Sequence, residues 1–79
     1  MARVLAMAER IVAPDGRDQY LGTLAERRAA AAAVGVHFWV FEAADAPGRY
    51  VEFAEAPTAE AIRLMAGPSI ALWHQVGGD

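Results

Sequence analysis

Apolar positions in this chain change period several times, and each change marks an element. The clearest strand signals are VHFWVFE over 36–42 and RYVEFAE over 49–55. Because a strand alternates its side chains, Val36, Phe38 and Val40 point one way while His37, Trp39 and Phe41 point the other. Both faces of that strand are apolar, so both need cover. Between the two strands, Ala46-Pro47-Gly48-Arg49 suits a type II turn, which makes the pair an antiparallel hairpin.

Around the hairpin the punctuation is equally regular. Arg3 to Val12 reads as a first strand, broken at Pro14-Asp15-Gly16, with Asp15 or Asp18 as the expected cap of the helix that follows. That helix runs from about Arg17 to Val34. Tyr20, Leu21, Leu24, Ala25, Ala31 and Ala32 make its apolar face, Ala29 to Ala33 allow close approach to a sheet, and Gly35 ends it. Pro57-Thr58 opens a short helix over Ala59 to Ala66, and Gly67-Pro68 closes it. The last strand is expected over Ser69 to Val76, with Gly77-Gly78-Asp79 as a frayed tail.

The order strand, helix, strand, strand, helix, strand predicts an α+β fold over one domain, residues 1–79. It is the ferredoxin-like βαββαβ arrangement with a four-stranded antiparallel sheet. Right-handed crossovers put both helices on one sheet face and leave the other open. Pairing Ala44 with Arg49 would put Val36, Phe38, Val40, Val51 and Phe53 under the helices. His37, Trp39, Phe41, Tyr50, Glu52 and Ala54 would then form the open face, aromatic but dotted with hydrogen-bonding groups. Register decides this, since a slip of one residue turns a strand over. Two copies packed sheet to sheet would bury those rings and enclose a cavity, a gain of about several kcal/mol per subunit.

Composition strengthens the case for a partner subunit. A chain of 79 residues without cysteine is marginal alone and has neither disulfides nor thiolate zinc sites to support it. Self-association is the remaining support, and the lack of thiols fits a reducing cytoplasm. All seven basic residues are arginine and the formal charge is −3. Alanine-rich, lysine-free usage suggests a GC-rich bacterial source, and the scattered arginines give no basic stripe for phosphates, so no nucleic-acid partner is expected. No apolar run reaches the roughly 18 residues of a membrane span, and the N-terminus has no signal core, which predicts no membrane partner.

Candidate chemistry centres on the expected aromatic face. An unperturbed imidazole titrates near neutrality, which makes His37 the best candidate general acid or base, with Glu52 to orient it across the hairpin and Tyr50 to donate to a developing oxyanion. Trp39 and Phe41 are placed to clamp a flat aromatic ligand or to form dimer core. His74, beside Trp73, is assigned to the dimer surface as a further ligand contact. A metal would need His37, His74 and a glutamate from distant strands, without a ligand spacing such as HExxH, so none is expected. No phosphate loop, nucleophile elbow or Cys-His pair occurs, and no cofactor is expected. Glu9-Arg10 and Glu26-Arg27-Arg28 read as exposed ion pairs, except that Arg28 interrupts the helix's apolar side and is expected to reach a carboxylate.

These segments together resemble the dimeric α/β-barrel superfamily, in particular the antibiotic-biosynthesis-monooxygenase and stress-responsive barrel groups. The matching features are RVLAMAERIV, Ala13-Pro14-Asp15-Gly16, the helix opening Gln19-Tyr20-Leu21, Gly35 before VHFWVFEAADAPGRYVEFAE, and the helix start Thr58-Ala59-Glu60-Ala61. The resemblance implies a homodimer whose sheets form a barrel around a small apolar or aromatic molecule. It also implies chemistry ranging from cofactor-free oxygenation through isomerisation and haem chemistry to none. Two alternatives stand beside it: a noncatalytic oligomerisation module with a filled interior, and a ligand-sensing domain resembling the ACT class, which binds an amino acid at a subunit interface.

Overall fold

In the computed structural model, which describes residues 3–77, β1 (Val4–Ile11) leads through a 3-10 turn at Pro14–Gly16 into α1 (Arg17–Ala33). The hairpin β2 (His37–Glu42) and β3 (Arg49–Ala56) follows, then α2 (Ala59–Ala66) and β4 (Trp73–His74). The sheet order is β2-β3-β1-β4 and every neighbouring pair is antiparallel. This is the ferredoxin-like βαββαβ fold. The last strand is two residues long where Ser69 to Val76 was expected, because the chain from Gly67-Pro68-Ser69 to Leu72 runs as turn, bend and coil before it pairs with Val4 and Leu5. The tail expected at Gly78 and Asp79 lies outside the described residues. Among those residues no helix is long and apolar enough to cross a membrane.

Local chemistry accounts for most boundaries. At the end of α1, Gly35 takes φ +78° while its N–H reaches the Ala32 carbonyl and the Val36 N–H reaches that of Ala31, the double closure of a Schellman motif. Thr58 caps α2, its hydroxyl oxygen accepting from the Ala61 N–H at 3.3 Å. Neither Asp15 nor Asp18 caps α1, however. The N-cap position is Gly16, fed directly by the 3-10 turn, and no side chain bonds there.

In the hairpin, one residue decides the layout. The turn closes as expected, with the Arg49 N–H on the Ala46 carbonyl at 3.1 Å and Gly48 at φ +92°. The Glu42 carboxylate accepts the Gly48 N–H at 3.1 Å. The Ala43 N–H in turn bonds the Arg49 carbonyl at 2.8 Å, so Ala43, not Ala44, stands opposite Arg49. Phe38 therefore pairs with Ala54, Val40 with Glu52 and Glu42 with Tyr50. The slip inverts β3: Tyr50, Glu52 and Ala54 go under the helices, and Val51 and Phe53 join Trp39 on the open face.

The core lies between the sheet and both helices: Val4, Ala6, Val36, Phe38, Ala54 and Ala56 from the strand side, Ala31 and Ile62 from the helices. It is built of small residues. Of the five alanines in 29–33 only Ala31 is buried, so the run permits close approach at one point. Apart from Phe38, the large apolar rings lie outside this core, with Trp39, Phe41 and Trp73 exposed.

Candidate functional site

Across the helix-covered face, one row of the sheet reads Val40, Glu52, Ala8. A glutamate in the middle of a buried row needs partners, because a lone carboxylate there loses its water. The methyl group of Ala8 leaves room for them. From α1, Tyr20, Leu24, Arg27 and Ala31 recur at helical spacing on the sheet side, and two of these side chains are polar. The Tyr20 hydroxyl donates to Glu52 Oε2 at 2.6 Å. Arg27 donates from Nη1 to Oε2 at 2.9 Å and from Nη2 to Oε1 at 2.8 Å. From β1, Arg10 Nε stands 3.3 Å from Oε2. The residue at the centre, Glu52, is 5% exposed.

The electrostatics follow from these contacts. Burial pushes the Glu52 carboxyl up, but hydrogen bonds from Arg27 and Tyr20 and the charges of Arg27 and Arg10 outweigh it and hold the group at about 2. Tyr20 moves oppositely: burial first, then its bond to the Glu52 carboxylate, pushes the phenol up to about 12. Glu52 is thus a fixed anion and Tyr20 a fixed neutral donor at neutral pH. Arg27 also covers Phe38, its Cζ 4.8 Å from the ring centroid.

This cluster borders a cavity of about 400 Å³ between the helix layer and the sheet. Ala6 and Ala54 contribute to its sheet side, Phe38 to its wall, and Met65 and Ile70 to the α2 end. Arg10, Arg27 and Glu52 form its charged corner. Apolar walls with a few converging polar groups are the usual make-up of a small-molecule site, and the volume lies within the usual range of about 300–1,000 Å³.

The residues expected to carry chemistry are dispersed. His37 pairs across the sheet with Glu55 on the open face, while Glu52 and Tyr50 are on the helix side, so the expected His37–Glu52 arrangement does not form. His37 stacks on Trp39 instead, ring centroids 5.9 Å apart. Tyr50 is buried against Tyr20 at 4.7 Å between centroids, and burial and the neighbouring Glu42 carboxylate push its phenol up. His74 is opposite Val4 on β4, at the far edge from His37 and on the other face. Arg28 is exposed, and its neighbour Arg27 makes the contact expected of it. Tyr20, Arg27 and Arg10 were the unforeseen members of the cluster. The seven-residue spacing that puts Tyr20 and Arg27 on one helix face with Leu24 and Ala31 is the part of this arrangement visible in the sequence.

On the open face, Trp39, Phe53 and Met7 form one row across three strands, and Phe41 stacks edge-on against Phe53 at 5.7 Å. Trp73 sits opposite Leu5 on the same face. Trp39 and Phe41 therefore line no part of the helix-side cavity.

No family model matches this chain, and no curated protein does. The solved structure of Rv0793 from Mycobacterium tuberculosis is similar to it, with a TM-score of 0.70 and 19% sequence identity over 98% of this chain and 96% of that one. At that identity the likeness establishes the shared fold.

Proposed function

We propose that the protein is a homodimeric α/β barrel in which each protomer binds one small, mostly apolar molecule in the cleft between its helices and its sheet. The observation that carries the binding part is the cavity of about 400 Å³ with apolar walls and one charged corner. Monooxygenase- or isomerase-like turnover needs a proton acceptor in the cleft. The carboxylate there, Glu52, is saturated by Tyr20, Arg27 and Arg10, so the geometry supports binding over turnover.

The dimer rests on the open face. Met7 at 44%, Trp39 at 44%, Phe41 at 56% and Trp73 at 59% exposure leave about 400–500 Å² of apolar surface uncovered from four residues alone, in the size class of about 300–600 Å² whose members often serve as interaction sites. A second copy is the occupant that fits. The charges on this face, Arg49 with Glu9 at 2.7 Å and Arg3 with Glu55 at 2.9 Å, are already paired within the chain. The face is thereby neutral although the chain is acidic, and presents no like-charge barrier to a copy of itself.

A neutral aromatic probe, 2-naphthamide, tests the cleft. It should raise the melting temperature of the wild-type protein and of Trp39→Ala, and lose its effect in Ala30→Trp, which places an indole at the cavity wall. Stabilisation that survives Ala30→Trp, or that disappears with Trp39→Ala alone, would move the site to the open face.

A further inference from the structure

The charged corner of the cleft has an imbalance. Arg10 and Arg27 bring two positive charges, Glu52 one negative and Tyr20 none, within a chain whose formal charge is −3. A local surplus of positive charge in an acidic protein is a feature that a ligand can use.

The two arginines are not equivalent. Arg27 has given a terminal nitrogen to each oxygen of Glu52 and lies over Phe38, so its position is fixed. Arg10 touches Glu52 through Nε alone, at 3.3 Å, and its side chain is 54% exposed. Among the described residues no other carboxylate lies within ion-pair distance of it. Its two terminal nitrogens are left without a carboxylate partner, at the border of an apolar cavity. Two parallel N–H donors on a planar group match the two oxygens of a carboxylate.

We infer that the cleft is specific for an apolar monocarboxylic acid, whose hydrocarbon part lies against Phe38, Met65 and Ile70 and whose carboxylate is taken by the terminal nitrogens of Arg10. This deepens the reading of the cleft as a binding site and rests on it. One negative charge cancels the surplus. An uncharged analogue leaves the terminal nitrogens of Arg10 without an anion, and a second carboxylate on the ligand would be brought toward Glu52. The carboxylate of Glu52 is a positioning group here: it anchors Arg27 and orients the stem end of the Arg10 guanidinium without touching the ligand.

The test compares matched acids and amides by calorimetry at pH 7 and low salt: 2-naphthoate against 2-naphthamide for ring acids, octanoate against octanamide for chain acids. At least one acid should bind tenfold or more tightly than its amide, and the stronger pair identifies the ring or chain class. Arg10→Gln should bring that acid down to its amide, Arg10→Lys should fall between, and Arg63→Gln, a charge change remote on α2, should leave the preference intact. Equal binding of both acids and their amides by the wild type, or a preference that survives Arg10→Gln in a folded variant, overturns the inference while leaving the cleft as a binding site. Failure of all four probes to bind removes the cleft reading and this inference together.

Discussion

Arg27 reaches from α1 to Glu52 on β3 with both terminal nitrogens, at 2.9 and 2.8 Å, and the carboxylate it holds is almost wholly buried. Removing one side of such a pair leaves a charge without its partner, which costs more than the pair contributes. Tyr20 and the half-exposed Arg10 remain to the carboxylate, so Arg27→Ala should destabilise by about 2 kcal/mol, below the 3–5 of a fully buried pair. Arg27→Met with Glu52→Leu should cost less than the two single changes added together. Urea unfolding of all three variants measures this coupling, and strict additivity would mean that the bidentate contact contributes nothing.

Acid should find the same group. Glu52 is held at about 2 in the folded protein against an ordinary 4.5. A depressed folded pKa contributes stability that is complete above the unfolded value and is lost as pH falls through the folded one. Stability should therefore fall between about pH 5 and pH 2, by on the order of 2–3 kcal/mol, with the partly exposed arginines placing it toward the lower end. Glu52→Gln should flatten that limb in unfolding free energies measured against pH. Tyr20, pushed up to about 12, works in the opposite sense: its contribution is complete below pH 10 and is lost as pH rises through 12.

How far this cluster could be read in the sequence depends on which step is asked about. Element order, both helix ends at Gly35 and Gly67, the Thr58 cap and the turn at Pro47-Gly48 follow from local chemistry, and the structure shows them. Which face Glu52 occupies does not. Its placement depends on whether Ala43 or Ala44 meets Arg49, and the deciding bonds, Ala43 N–H to the Arg49 carbonyl and Gly48 N–H to Glu42, are loop details that residue types alone do not specify. The choice between Arg27 and Arg28 is similar, a matter of about 100° of helix rotation that only the packed sheet fixes. His37 and Glu52 share a face in the expected register, and the observed one puts the sheet between them.

The hairpin turn supplies its own test. Gly48 has φ +92°, and a Cβ built on it would lie 2.7 Å from the Val12 carbonyl oxygen, the same oxygen-bearing residue whose N–H bonds Gly48. Gly35 has a comparable φ of +78° with open space around it. Gly35→Ala should therefore cost about 1 kcal/mol, the left-handed penalty alone. Gly48→Ala should cost roughly twice that or more, because the Val12 backbone just after β1 must also move. Since this turn sets the register that holds Glu52 under Arg27, Gly48→Ala should also weaken the acid limb. Equal losses in melts of the two variants would show that the contact with Val12 relaxes freely.

Both tryptophans of the chain, Trp39 and Trp73, are on the open face and about half exposed. Their emission accordingly reports on whatever covers that face and on nothing in the helix-side cleft. If a second copy is the cover, the rings lose water on association, and the emission maximum at micromolar concentration should lie to the blue of that in a dilute sample. The shift should track the sedimentation change from dimer to protomer along the same dilution series. Trp39→Glu, which sets a carboxylate at the β2 end of the Trp39–Phe53–Met7 row, should produce the protomer at all concentrations and leave the Trp73 emission red throughout. A red, concentration-independent spectrum from a wild-type protomer would leave the open face uncovered and the barrel unformed. The cleft beneath α1 and α2, which is complete within one chain, would be unaffected by that outcome.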